Sequence, residues 1–158
     1  MKPFIIVCLA LITFSTVALT YRSTGDELVW ETDFATSIEK AKKENKKLFV
    51  NFTGSDWCGW CIRLEKEVFS KEEFVAYANK NFVCVKLDFP RTKKLPEAEA
   101  KQNYDLAKQY SVKGFPTIMM LDTDKAVILQ TGYQFGGVQP YIDHLEVALA
   151  KIAPAKKK

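Results

Sequence analysis

The stretch Lys47 to Phe52, KLFVNF, limits the possible folds of this chain more than any other. It is a compact apolar run of strand length, interrupted only by Asn51, and it stops at the breaker cluster Thr53-Gly54-Ser55. A helical pattern leaves at once: Cys61, Leu64 and Val68 recur at i, i+3 and i+7, with Ser55 or Asp56 placed to accept the free amide hydrogens of a first turn. A buried strand that turns directly into a helix suits an α/β fold. The turn itself carries Trp57-Cys58-Gly59-Trp60-Cys61.

The same reading extends in both directions. ELVWE, residues 27 to 31, is a short strand, and Phe34, Ile38 and Ala41 fall on one face of a following helix. Ser70 with Glu73 makes a capping box for a helix through KEEFVAYANK, and FVCVKLDF, residues 82 to 89, is a strand. A charged loop from Pro90 to Pro96 leads into a helix with Pro96 at its start and Leu106 and Tyr110 on a common face. PTIMMLD and AVILQTG are strands joined closely enough for an antiparallel hairpin. A last helix aligns Val138, Tyr141, Ile142, Leu145, Leu149 and Ile152 on one stripe. The predicted order β-α-β-α-β-α-β-β-α is a mixed central sheet with helices on both faces, one domain over residues 27–153.

The ends read differently. Lys2 and the uncharged run Phe4 to Leu19 make residues 1–20 an address segment. Thr16-Val17-Ala18 offers a small-residue cleavage site, and Pro3 to Tyr21 nearly suffices to span a bilayer of about 30 Å, so the segment is a cleaved signal peptide or an N-terminal anchor. Either way the body is expected outside the cytoplasm, where disulfides persist, with membrane contact only through an uncleaved segment. Residues 154–158 form a basic tail. The net charge of +4 disappears once Lys2, Lys156, Lys157 and Lys158 are set aside, leaving 19 cations against 19 anions. No basic face for nucleic acid follows.

The cysteine pair carries the chemistry. A helix N-terminus brings about half a positive charge and unpaired amides, conditions that stabilise a thiolate on Cys58 and make it the expected nucleophile. Cys61 lies one turn on, close enough to close a small-loop disulfide; its place on the apolar stripe predicts deeper burial and the role of resolving thiol. Trp57 and Trp60 offer apolar surface for a peptide whose disulfide is attacked, or, for Trp57 equally, serve as core aromatics. A zinc site would need more ligands than Cys8, Cys84 and His144 supply, so no metal is expected. A purely structural disulfide at this spacing would stabilise little. Cys84 reads as a small core residue and His144 as solvated.

With WCGWC, the preceding strand LFVNF and the later GFPT at residues 114 to 117, the chain resembles the thioredoxin-like superfamily from Glu27 to Ile152. The resemblance implies a thioredoxin-like fold, a cis-proline at Pro116, and a substrate groove formed by Gly59, the backbone of Phe115, and Gly132. It also exposes a departure. The family commonly has a buried aspartate where this chain has Asn51, and an amide cannot take a proton from the resolving cysteine. Lys86 matches a lysine usually near that carboxylate. Deprotonation of Cys61 is therefore expected to rely on water, Glu65 or Asp56. The loop FTGSDWC, one residue longer than in ordinary thioredoxin, resembles a secreted subgroup.

The leading expectation is an exported thiol-disulfide oxidoreductase that reduces protein or peptide disulfides without a cofactor. A reductase in an oxidising compartment implies a membrane electron donor of the kind that feeds periplasmic thioredoxin-like domains. An oxidase or isomerase, a peptide-binding or chaperone-like module without turnover, and a domain within a larger assembly such as cytochrome maturation machinery are the alternatives.

Overall fold

Five strands and five α-helices are laid out along residues 27–152, the part of the chain that the computed structural model describes. They are β1 (Trp30–Glu31), α1 (Phe34–Glu44), β2 (Lys47–Thr53), α2 (Gly59–Leu64), α3 (Glu72–Asn81), β3 (Phe82–Asp88), α4 (Glu97–Gln109), β4 (Thr117–Leu121), β5 (Val127–Thr131) and α5 (Val138–Ile152), with a π-helical turn over Glu65–Phe69. The address segment and the basic tail lie outside the described residues. Among those residues no helix is long and apolar enough to cross a membrane.

The strand order is β1-β3-β2-β4-β5. β2 and β3 run parallel with Asn51 opposite Lys86 and Thr53 opposite Asp88, β1 joins β3 in parallel, and β4 and β5 are added antiparallel. β2 is central and buried from Leu48 onward. Its residues alternate between two cores, as a pleated strand must. Leu48, Val50 and Phe52 meet Phe34, Ile38, Ala41 and Leu106 from α1 and α4. Phe49 faces the other layer, with Leu64, Phe69, Phe74, Tyr141 and Leu145. Phe49 is the hub of that layer, its ring centroid 5.6 Å from each of Phe69, Phe74 and Phe82.

Four expectations need correction. The first strand pairs only over Trp30–Glu31, because it meets the sheet along β3 alone. No capping box opens α3: Lys71 precedes it without a side-chain cap, and the Ser70 hydroxyl instead donates to the carbonyl of Lys66, closing the π-helical turn. Ile152, expected on the buried stripe of α5, is exposed, and Ala148 takes a buried place. His144 is not simply solvated, since its Nε2 lies 3.1 Å from the Thr131 hydroxyl. Cys84 is buried in β3, and desolvation pushes its thiol up to about 12.

The end of β3 is fastened to the end of β2 through Asp88. Its carboxylate accepts the amide and the hydroxyl of Ser55 at 2.9 and 2.6 Å and pairs with Lys93 at 2.9 Å. Its carbonyl accepts from Asn103 of α4, and Phe89 N–H donates to Thr53 O. Burial alone would push the Asp88 carboxyl up, but the Ser55 and Lys93 donors together hold it below the usual carboxylate range. A group with a depressed folded pKa contributes stability above its unfolded pKa and loses that contribution as pH falls. In thermal unfolding followed from pH 7 to pH 3, the gap in Tm between the native chain and Asp88→Asn is expected to be open at neutral pH and to close below about pH 4.

Candidate functional site at the end of the central strand

β2 ends at Thr53, and the chain turns over Gly54 before α2 begins. The amides of Trp57 and Cys58 donate back to the Gly54 carbonyl, at 3.3 and 2.9 Å. The first helical hydrogen bond runs from Ile62 N–H to Cys58 O at 3.0 Å, which makes Cys58 the residue at the helix threshold. Its Sγ accepts the Cys61 amide at 3.2 Å. The cap is therefore a cysteine sulfur rather than Ser55 or Asp56. Both of those are engaged elsewhere: Ser55 by Asp88, and Asp56 by the amides of Arg91 and Thr92 and the Thr92 hydroxyl. The Thr92 hydroxyl first, then the Thr92 and Arg91 amides, hold the Asp56 carboxyl far below the usual range. So weak a base cannot readily take a proton from a thiol.

Cys58 and Cys61 form a disulfide, with Cα atoms 5.2 Å apart. Burial does not separate the two residues as the sequence suggested, since they are 6% and 5% exposed. Position does. Cys58 sits at the helix threshold, where its sulfur accepts the Cys61 amide, whereas Cys61 lines a cavity of about 280 Å³ together with Glu65, Lys66 and Lys86. Asn51 is on the Phe49 face of β2, beneath α2, and its buried Oδ1 has no hydrogen-bond partner among the described residues. Lys86 stands opposite Asn51 in the sheet and lays its ammonium 5.2 Å from the Trp30 ring. Among the described residues no group of His, Cys, Asp and Glu is arranged to hold a metal ion.

Two aromatic groups flank the disulfide. Trp57, 36% exposed, donates its indole N–H to the Phe89 carbonyl at 2.8 Å and meets the Phe115 ring edge-on at 6.0 Å. Phe115 in turn stacks on Phe89 at 4.8 Å. Trp57 is thus partly packed and partly exposed. On the other flank, half-exposed Trp60 lies 5.1 Å from Tyr133 and 6.1 Å from Phe135. Arg63 covers all three rings of that group and is tied to Glu67 at 2.7 Å, and Glu67 also accepts the Tyr133 hydroxyl.

The Phe115-Pro116 bond is cis, and Gly132 lies so close to the Pro116 carbonyl that an added Cβ would stand 3.0 Å from it. Gly59, at the start of α2, faces open space. The structure therefore gathers Trp57, Cys58, Trp60 and Cys61 at one turn, seats Phe115 against Trp57, and sets Pro116 beside Gly132. Asp56 is drawn away to the loop after β3. Tyr133, Phe135, Phe89 and Arg91 were absent from the sequence expectations, because their places depend on loops folding back from elsewhere in the chain. Only the i, i+4 pair of Arg63 and Glu67 left a trace in the sequence.

A family model described as thioredoxin-like matches residues 29–123. The chain is 34% identical over 122 residues to "Disulfide bond reductase DsbH" of Chlamydia pneumoniae, covering 77% of this chain and 73% of that protein. It is 30% identical over 108 residues to "Thioredoxin-related protein DsbJ" of the same organism, covering 68% of this chain and only 31% of that longer protein. Among solved structures, "DsbH Oxidoreductase" superposes with a TM-score of 0.76 at 33% identity, over 79% of this chain and 86% of that one.

Gly54 generates a prediction of its own. A Cβ there would stand 2.5 Å from the Trp57 indole, which its hydrogen bond to Phe89 holds in place. Gly54→Ala is expected to displace the ring, shift its fluorescence emission and cost about 1–3 kcal/mol in denaturant unfolding.

Proposed function

Because the chain belongs to the thioredoxin-like family, we propose that it is an exported thiol-disulfide oxidoreductase that reduces disulfides in proteins or peptides. The observation that carries this reading is the sulfur of Cys58 at the helix threshold, bonded to Cys61 Sγ and receiving the Cys61 amide. In the dithiol form the same amide and the peptide dipoles of α2 favour the anion on Cys58.

The thiolate attacks one sulfur of the substrate disulfide. The substrate S–S bond breaks, the second substrate sulfur leaves as a thiolate that takes up a proton, and a mixed disulfide joins Cys58 to the substrate. Cys61 then loses its proton and attacks Cys58 Sγ, releasing the second substrate thiol. Two electrons pass to the substrate, and the chain is left with the Cys58–Cys61 bond seen here. Trp57, Gly59, Trp60, Phe115, Pro116 and Gly132 form the surface that holds the substrate strand. Each cycle requires a two-electron thiol donor to restore the dithiol; with residues 1–20 as signal or anchor, that donor is a membrane thiol oxidoreductase. The reducing direction is supported by the relative named a disulfide bond reductase.

Cys61 must give up a proton without the carboxylate that Asn51 replaces. Asp56 is unsuited by its three donors, which leaves Glu65, lining the same cavity as Cys61, or solvent as the base.

Three variants test this reading and its proton step. Cys58→Ser is expected to abolish disulfide reduction while leaving peptide binding intact, and Cys61→Ala to accumulate mixed disulfides on non-reducing gels; reduction surviving Cys58→Ser refutes it. Asn51→Asp restores a carboxylate beneath α2 and is expected to speed resolution of a preformed mixed disulfide near pH 7 by about tenfold or more in stopped flow.

A further inference from the structure

The Trp57 flank opens away from the disulfide into a groove of about 580 Å³ between the loop after β3 and the C-terminal half of α4. Its floor and walls are aromatic: Trp57, Phe89, Phe115 and Tyr104, the last 68% exposed and edge-on to Phe89 at 5.3 Å. Its rim is cationic. Arg91 lies over the Trp57 ring at 3.8 Å, Lys108 and Lys113 complete the rim, and among the described residues no carboxylate lines the groove.

The charges on the two flanks of the disulfide differ in kind. On the Trp60 flank the cation over the rings, Arg63, is neutralised by Glu67 within the chain. Lys93, in the same loop as Arg91, is likewise paired with Asp88. Arg91, Lys108 and Lys113 enter no ion pair among the described residues. Asp56 lies close by in the fold, but its oxygens accept from the amides of Arg91 and Thr92 and the Thr92 hydroxyl rather than from the guanidinium.

From an apolar floor, three unpaired cations and direct continuity with the residue before Cys58, we infer that this groove selects the substrate: it docks a segment of the disulfide-bearing polypeptide that carries an aromatic side chain flanked by Asp or Glu. The inference rests on the oxidoreductase reading. The aromatic anchor fills the space between Tyr104 and Phe115, the acidic neighbours meet Arg91, Lys108 and Lys113, and the adjoining cystine is delivered along Trp57 to Cys58. Apolar area supplies the hold, and complementary charge supplies the choice of partner and the speed of encounter.

The test uses two synthetic peptides with one intramolecular disulfide each, identical except that Phe is flanked by glutamates in one and lysines in the other. With the pre-reduced full chain, the acidic peptide is expected to be reduced about tenfold faster at low ionic strength, the ratio falling toward one at molar salt. In the double variant Lys108→Glu, Lys113→Glu the ratio inverts. Serine-for-cysteine versions of both peptides, titrated calorimetrically against the unmodified chain, are expected to show the same preference in binding. Equal rates and equal binding for the two peptides overturn the inference. So does displacement of the bound acidic peptide by anionic phospholipid vesicles or a single-stranded oligonucleotide at lower concentration. Failure of the chain to reduce the neutral disulfide 4,4′-dithiodipyridine would refute the oxidoreductase reading alone, because the calorimetric preference would still decide the groove.

Discussion

β2 has a hydrogen-bonded neighbour along each edge and packed side chains on each face, and everything distinctive about this molecule follows from that confinement. A strand so enclosed has no room for polar chemistry along its length, and the amide of Asn51 shows it with an oxygen left unpaired. Chemistry is therefore displaced to the end of the strand. There the chain must reverse within a few residues and start a helix, whose first amides lack intrahelical partners and are open to the side chain at the threshold. In this chain that side chain is Cys58.

The threshold would wander if only local hydrogen bonds held it. Asp88 prevents that by tying the loop after β2 to the end of β3, while its own carbonyl is held by α4. Asp56 and Trp57 each reach across to the residues that follow Asp88, one with its carboxylate and the other with its indole. The turn that carries the sulfurs is thereby hydrogen-bonded to a second turn more than thirty residues away.

What the sequence disclosed follows the same division between local and distant causes. β2, β3 and the stripe of α5 were legible because burial imposes a repeat of two or of 3.6 on neighbouring residues. Ser55 and Asp56 looked like helix caps because their side chains suit that role, and both were claimed by partners in the loop after β3 or at its edge, which no local pattern reveals. Ser70 and Glu73 matched a capping box in type and spacing, but the wide turn over Glu65–Phe69 put Ser70 to closing the previous helix instead. The disulfide, its helix and the tryptophans beside it could be placed from residue order alone. The aromatic companions of those tryptophans could not, since Tyr133, Phe135 and Phe89 reach the site only through the topology of the sheet.

Cys84 shares a sheet with the reactive turn yet stays out of reach of it. Buried in β3 and kept protonated by its surroundings, it is neither an attacking group nor an accessible target. Among the described residues the reactive pair therefore has no third sulfur to trade with. The intramolecular disulfide has, among the described residues, one pairing, Cys58 with Cys61, and Cys84 offers no competing one.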